Sequence, residues 1–519
     1  MTMNRRDFML SAAALALTAK SQVHADSVPL EHRFPPDVIK NEWYVESEPI
    51  PEYHWAPTSA YEAFRDMKFG VRLHWGIYSI WHRGNESWPF LNMSFEDRQQ
   101  YNDLYKTWNP AGFDAEEWMS LFAESGLKMF AFTSKHHEGF SMFDTKTRVR
   151  QRVNWTAAGG PKIEPCDLAY SIMETPFRRD VVKELCDAAH KRNIKIDLYF
   201  SHPDWYDADF RPYGEDPLQV PDSPELYGWR ASDGPVDAFW EKRKVRLGDR
   251  FVTVPDPTPL EVDRMVQRHR QQLTELLTKY GTIDMLCLDI HWGPKVWPQM
   301  RETILKLRQI QPNVMLRNRG IGGYGDYYTP ERVVPSGRVT SEVPWLVIYP
   351  LGSDFSYEPD PAKHKGTNWI VQNLVDSVSK GGGFMVGVGP SANGQFNPEA
   401  ARQLRATGDW LKVNGEGIYA TRARDGLLWS EGDNIRYSRS KDRRTAYAHS
   451  LVWPGKQLLL SSIQPKTGSS IYMLGFAEPL KWKYDSAQGL TIAIPEQLQN
   501  AEARPCQHAW TFKIESVNA

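Results

Sequence analysis

The sequence predicts an α/β chain: a (β/α)8-like barrel followed by a C-terminal antiparallel β-sandwich. Three observations predict it. After residue 58, short apolar runs alternate with amphipathic helical stretches. The runs are continuously apolar rather than alternating, as in parallel strands covered on both faces. Polar residues then close run after run: His74, His136 and His137, Ser201 and His202, Asp289, Arg319. An open doubly wound sheet would satisfy the first two observations. The third favours the barrel, where several strand ends converge on one face. No glycine-rich phosphate turn follows the first strand, which counts against a dinucleotide fold.

The elements follow in order. "FGVRLHWG" (69–76) reads as a first strand. "FDAEEWMSLFAESG" (113–126) reads as a helix, with Asp114 able to cap it, Glu117 three residues on and Gly126 at its end. "LKMFAFTSKH" (127–136) is a second strand. "RRDVVKELCDAAHKRN" (178–193) is a helix, with apolar residues at 181, 182, 185 and 189. "IKIDLYFS" (194–201) is a third strand, "EVDRMVQRHRQQLTELLTKYG" (261–281) a long helix, and "IDMLCLD" (283–289) a fourth strand. "PNVMLRNR" (312–319) and "GGFMVGVGP" (382–390) follow as strands. Residues 146–177 and 202–260 lack periodicity and are rich in Pro, Asp, Tyr and Trp. As loops after barrel strands they are expected to wall the pocket. Past residue 416, short alternating segments from "RYSRS" to "AWTFKIE" predict the sandwich. The expected division is 26–415 for the barrel domain and 416–519 for the sandwich.

Composition narrows the function. Lys and Arg total 62 against 64 Asp and Glu, a net charge of −2, so nothing argues for nucleic acid or an anionic membrane. The 20 Trp, 22 Tyr and 22 Phe mostly belong to the core, but they leave room for rings that stack on a sugar. The four cysteines are far apart and lack metal spacing, so they read as thiols. Residues 1–25 read as a twin-arginine-type export signal: Arg5-Arg6, an apolar stretch from Phe8 to Ala19, and "VHA" ending at Ala25. The expected location is outside the cytoplasm, in a bacterial periplasm. No other stretch is long and apolar enough for a membrane helix.

Asp289 ends an apolar strand, as a helix N-cap or as a carboxylate that acts. Glu331 in "GDYYTPERVV" is either a surface turn residue or its partner; retaining glycosidases pair two carboxyl groups roughly 5–5.5 Å apart. His136 and His137 are adjacent, so on a regular strand only one could face the barrel axis without a bend. No compact Asp/His set lies near them. Hydrogen bonding to a ligand is favoured over metal binding, and no metal or cofactor is expected.

Several stretches together resemble the α-L-fucosidases of glycoside hydrolase family 29. These are "KFGVRLHWGIYSI", "FDAEEWMSLFAESGLKMFAFTSKHHEGFSMFD", "RRDVVKELCDAAHKRNIKIDLYFS", "QLTELLTKYGTIDMLCLDIHW", "GGGFMVGVGPSANGQ" and "NGEGIYATR". They keep the family's order across residues 57–425. The resemblance implies a metal-free retaining mechanism on a terminal α-L-fucose of a glycan. Asp289 would be the nucleophile, passing through a glycosyl-enzyme intermediate. His74 and Trp75 of "HWG", with His136 and His137, would hold the sugar, beside Glu86 and Trp88 of "GNESW", Tyr199 and Arg319.

The family's acid/base position varies. "YTPE" places it at Glu331, while the other subset's "PWE" segment reads "VPWLV" here, with Leu346 in place of glutamate and Glu342 nearby. Repulsion from Asp289 is expected to raise the acid/base pKa. Other departures are Cys287 where an aromatic is common, the extra Ser87, and the long 202–260 insertion. They leave two alternatives open: a related sugar (an α-L-galactoside or a substituted fucan), or a catalytically silent carbohydrate-binding protein.

Overall fold

The computed structural model describes residues 48–211, 252–290, 296–337, 343–425 and 428–517 continuously, with isolated residues and short pieces besides. The export segment 1–25, Glu342 and most of 212–251 lie outside the described residues.

Helix α1 (Thr58–Met67) leads into β1 (Phe69–Leu73). Next come α2 (Ala115–Glu124), β2 (Met129–Lys135), α3 (Val181–Arg192) and β3 (Lys195–Ser201). They are followed by α4 (Pro259–Lys279), β4 (Met285–Asp289), α5 (Trp297–Ile310) and β5 (Met315–Leu316). Then β6 (Leu346–Pro350), α6 (Thr367–Ser379), β7 (Gly383–Gly387) and α7 (Pro398–Asn414) complete this half. The helices start where side chains satisfy their first N–H groups. Asp114 accepts from Glu116 and Glu117 at 2.8 and 3.0 Å, and Thr258 forms a full capping box with Glu261.

The seven strands form one curled parallel sheet in the order β6–β7–β1–β2–β3–β4–β5. An irregular eighth segment joins its edges. Arg317 pairs with Tyr327, Tyr328 with Trp345, and Glu331 with Ile348 of β6. Pro330 carries no N–H and so interrupts this segment as a ladder, although its carbonyl still accepts from Ile348 N at 3.0 Å.

Alternate strand residues fill the barrel in layers. The lowest is apolar: Met129, Met285, Met315, Leu346 and Met385 share one cluster. The middle one is charged. Arg72 and Arg317 each donate to the Cys287 thiol at 3.1 Å, and Tyr327 donates to buried Asp197 at 3.3 Å. The upper layer continues the same alternation with His74, Tyr199 and Asp289. Buried guanidiniums are tolerated here because they are paired within the barrel.

Two findings modify the loop expectation. Residues 149–154 and 162–168 form an antiparallel hairpin, bridged to Asp207 through Arg152, rather than an irregular wall. The segment from His202 to Arg211 is buried against the site.

The C-terminal strands are β8 (Ile435–Arg439), β9 (Thr445–Ser450), β10 (Gln457–Leu460), β11 (Ile471–Met473), β12 (Trp482–Asp485), β13 (Gly489–Ala493) and β14 (Trp510–Glu515). One antiparallel sheet holds β8–β9–β14–β11 with two short flanking strands, and the other holds β10–β13–β12. Tyr437, Ala448, Leu458, Leu460, Leu490, Ile492 and Phe512 form the core they share. This is the expected sandwich. Among the described residues all four cysteines are free thiols, and no helix is long and apolar enough to cross a membrane.

Candidate active site

Asp289 lies at the end of β4, two positions above Cys287, and so points toward the barrel axis. Its Oδ2 accepts from the Tyr199 hydroxyl at 2.7 Å, and its Oδ1 accepts from Arg319 Nη1 at 3.0 Å. Arg317 Nη1 stands 3.6 Å from Oδ1. Burial pushes the Asp289 pKa up, but the Arg319 and Arg317 guanidiniums outweigh it and hold the carboxyl well below the usual range. The group is therefore an ionised carboxylate in a nearly closed site. The chain then turns sharply. Ile290, β-branched, has φ +62°, an outlier of the kind that collects at functional sites. A Cβ on Gly320 (φ +72°) would lie 2.2 Å from the Ile290 carbonyl oxygen. Only glycine lets the chain beside Arg319 come this close.

Both histidines of "KHHEG" reach the site. The register of β2 shifts between Thr133 and Lys135, and a turn follows, with Gly139 N donating to His136 O at 3.0 Å. That is the bend the sequence demanded, and it brings the two rings within 4.1 Å of each other. The turn is closed from behind: a Cβ on Gly139 (φ +88°) would lie 2.0 Å from Asp204 Oδ1. His136 stacks on Tyr199 at 5.4 Å. His137 shares a 2.7 Å hydrogen bond with Ser201 Oγ and meets the Trp88 ring edge-on at 4.7 Å. His74 Nε2 accepts from Arg72 Nε at 3.5 Å, while its buried Nδ1 has no partner among the described residues. Burial holds all three imidazoles neutral, His136 as low as about 3. A neutral imidazole offers one donor and one acceptor, which suits sugar hydroxyls.

Glu86 is buried at 6 % exposure, and its Oε1 lacks a partner among the described residues. Burial, with repulsion from Asp354 and Glu331, pushes its pKa up to about 8. It is a protonated carboxyl at neutral pH. The extra Ser87 also has a place: its hydroxyl bonds His136 Nδ1. No sequence signal assigned it that role, because the contact joins residues 49 apart.

Glu331 sits on the closing segment, with its side chain 35 % exposed. Arg319 Nη2 donates to Glu331 Oε2 at 2.7 Å, so one guanidinium grips both carboxylates. The expected upward pKa shift is not found. Burial and Asp289 raise it, but Arg319 and Arg317 outweigh them and the net shift is downward. The physical reason is that a cation stands between the two anions.

The structure sets Trp75 apart from these residues. It is fully buried, donates to the Ser391 carbonyl at 2.8 Å, and packs among Trp108, Phe113 and Trp118. It supports His74 from the core instead of facing the pocket. Leu346 opens β6 in the apolar bottom layer, and Glu342 falls outside the described residues. Among the described residues, no three His, Cys, Asp or Glu side chains group as metal ligands.

Comparison with known proteins identifies the family. The α-L-fucosidase family model matches residues 45–416, and the α-L-fucosidase C-terminal domain model matches 430–515. Tissue α-L-fucosidase of Mus musculus is 26% identical over 512 residues, covering 94% of this chain and 95% of that relative. The Homo sapiens enzyme is 27% identical over 510 residues, covering 93% of each. Among solved structures, α-L-fucosidase isoenzyme 1 from Paenibacillus thiaminolyticus superposes with a TM-score of 0.67 at 24% identity, over 89% of this chain and 99% of that one. A Bacteroides thetaiotaomicron family 29 α-L-fucosidase, trapped as a covalent intermediate, gives 0.68 at 21%, over 92% and 100%. With its family model spanning the barrel and a second model spanning the sandwich, the chain belongs to the α-L-fucosidase family of glycoside hydrolases.

Proposed function

We propose that this hydrolase is an exported, retaining exo-α-L-fucosidase that removes terminal α-L-fucose from glycans by double displacement. The observation that carries the reading is the pair of carboxylates, Asp289 and Glu331, held by Arg319 beside a wall of neutral histidines. Asp289 attacks the anomeric carbon as the bond to the leaving oxygen breaks, and Glu331 gives that oxygen a proton. Water, deprotonated by Glu331, then releases fucose from the Asp289 ester. His74, His136, His137 and Glu86 hold the sugar hydroxyls, with Trp88 beside them. Because Arg319 keeps Glu331 ionised in the free enzyme, substrate entry must weaken that contact before Glu331 can carry its proton. No metal or cofactor takes part in this reading. Export through residues 1–25 and the division at 415/416 belong to it.

One observation favours a second assignment of the acid. Of Asp289, Glu331 and Glu86, it is Glu86 whose pKa burial pushes up, to about 8, so that it is protonated at neutral pH. The test is hydrolysis of 4-nitrophenyl α-L-fucoside by wild type, Asp289→Asn, Glu331→Ala and Glu86→Ala, each with added azide. The proposal expects Asp289→Asn to lose at least about 10³-fold in kcat and azide to rescue Glu331→Ala alone. Rescue of Glu86→Ala instead would transfer the acid/base role to Glu86. An inactive wild type would favour the related-sugar or binding readings.

A further inference from the structure

His136 bonds the protein through one ring nitrogen and leaves the other to the site. Ser87 Oγ lies 2.5 Å from His136 Nδ1, and Nε2 bonds no described residue. Behind the ring stands Glu138, with Oε2 3.6 Å from the same Nδ1. The Ser87 hydroxyl is the side-chain partner of the Glu138 carboxyl, whose Oε2 has no other bond among the described residues. Ser87, His136 and Glu138 are 1 %, 4 % and 2 % exposed. One buried hydroxyl thus serves both the ring and the carboxyl, away from bulk water. The reaction steps given above use neither Ser87 nor Glu138.

The turn before Ser87 is strained. Asn85 and Glu86 have φ of +48° and +50°, a region that non-glycine residues rarely adopt. It delivers Glu86 and Ser87 together into the buried site.

Counting protons shows what this arrangement can do. Burial takes the His136 pKa down to about 3, with Asp289 and Glu331 opposing and Arg72 assisting, so the ring is neutral. It carries a single proton, on Nδ1 or on Nε2. One proton lies between Ser87 Oγ and Nδ1. Where it is the ring's own, Nε2 is bare and can only accept. Where it is the hydroxyl's, Nε2 carries the ring proton and donates. The bond at one nitrogen fixes the role of the other.

Glu138 selects between the two. As a carboxylate it can only accept. It then takes the Ser87 proton, and Ser87 must accept from Nδ1–H. As a neutral acid it donates to Ser87 Oγ, and Ser87 turns its own proton toward Nδ1. Burial pushes the Glu138 pKa up to about 8, with Asp204 adding to the shift and Ser87 and Lys135 opposing it. The phenols of Tyr78, Tyr101 and Tyr170 also feel this carboxyl, and burial keeps all three protonated. At neutral pH Glu138 is the acid.

We propose that Ser87 and Glu138 are positioning residues that set the tautomer of His136, so that its Nε2–H donates to a sugar hydroxyl oxygen. The inference rests on the reading of His136 as a fucose ligand and adds the direction of its hydrogen bond. Loss of the Glu138 proton reverses that direction. The Ser87 hydroxyl turns to the carboxylate, and the ring proton moves from Nε2 to Nδ1 by exchange with water.

The experiment follows the His136 ring nitrogens by nitrogen NMR in protein isotope-labelled at histidine, the signal being assigned by its loss in His136→Gln. Wild type, Glu138→Gln, Ser87→Ala and Ser87→Thr are compared at about pH 6 and about pH 9, on either side of the Glu138 pKa. Wild type is expected to hold the proton on Nε2 at the lower pH and on Nδ1 at the higher. Glu138→Gln keeps a donor and cannot ionise, so it should hold the proton on Nε2 at both. Ser87→Ala should lose the pH response, and Ser87→Thr, which keeps the hydroxyl, should retain it. On 4-nitrophenyl α-L-fucoside at about pH 6, Ser87→Ala should lose about tenfold in kcat/KM, mainly through KM, and Ser87→Thr should recover it. A wild-type proton on Nδ1 at the lower pH, one tautomer at both, or a reversal in Glu138→Gln would overturn the inference. So would an unchanged KM in Ser87→Ala. The expected tautomers in a protein that cleaves no fucoside would instead overturn the fucosidase reading and leave the Ser87 relay standing.

Discussion

The two walls of the site are built differently. On one side, His74, His136 and Asp289 lie at or just past the ends of regular strands and Tyr199 two residues before the end of the strand between them, all nearly fully buried. On the other, Arg319 and Glu331 stand on the irregular closure between β5 and β6, with side chains 27 % and 35 % exposed. The first wall is held by ladder hydrogen bonds on both flanks, so it can be preorganised for a sugar. The second is held by isolated bridges and by one arginine, so its geometry can change when a substrate enters.

Substitutions can break this comparison, and among residues other than the nucleophile itself the largest effect is expected on the irregular wall. Removing Arg319 by Arg319→Ala strips charge-assisted bonds from both carboxylates. At about 1.5–3 kcal/mol each, the loss in kcat/KM should be about 10² to 10⁴-fold. The same variant should move the basic limb of the pH profile upward, because Glu331 would no longer be held low. In wild type that limb belongs to a carboxyl depressed below its usual value. Hence kcat/KM should fall as pH rises through the lower carboxylate range, and the optimum should be acidic. A basic limb near pH 8 would instead mark Glu86 as the titrating acid.

On the regular wall a smaller effect is expected. Tyr199→Phe removes one bond to the ionised Asp289 and should lower kcat about 10- to 100-fold, with KM little changed. An equal effect on KM would mean that Tyr199 holds the sugar as well as the nucleophile.

The smallest effect concerns stability. Glu138 is buried behind His136, and burial pushes its pKa up to about 8. A carboxyl whose folded pKa is raised is neutral in both states below pH 4.5, so it costs nothing there. Stability is lost as pH rises from that value toward 8. Glu138→Gln should therefore match wild type near pH 4.5 and melt a few degrees higher at pH 8. A pH-independent difference in Tm would show that the side chain is bonded rather than titrating.

Much of the regular wall was legible in the sequence. Apolar strands ending in His74, His136 and Asp289 are visible because burial on both faces forces continuous apolar runs. Three features were not. Strand β6 lies in "VPWLVIYP", where flanking prolines read as punctuation. The closing segment "DYYTPE" has no periodicity, because its hydrogen bonds are isolated bridges rather than a ladder. Trp75 looked like a pocket residue from its motif, yet its alternation from His74 turns it into the aromatic core.

By itself, then, the sequence determined the parallel barrel, the sandwich and the set of residues at the strand ends, because periodicity and burial are local properties of a chain. Only the tertiary structure decided which histidines face inward, since that depends on the shift at Thr133 and the fit of Gly139 against Asp204. It alone decided the charge states too. The Glu331 pKa goes down because Arg319, twelve residues away, stands between it and Asp289. A pKa is set by distances to charges and by desolvation, and neither is written in the order of residues.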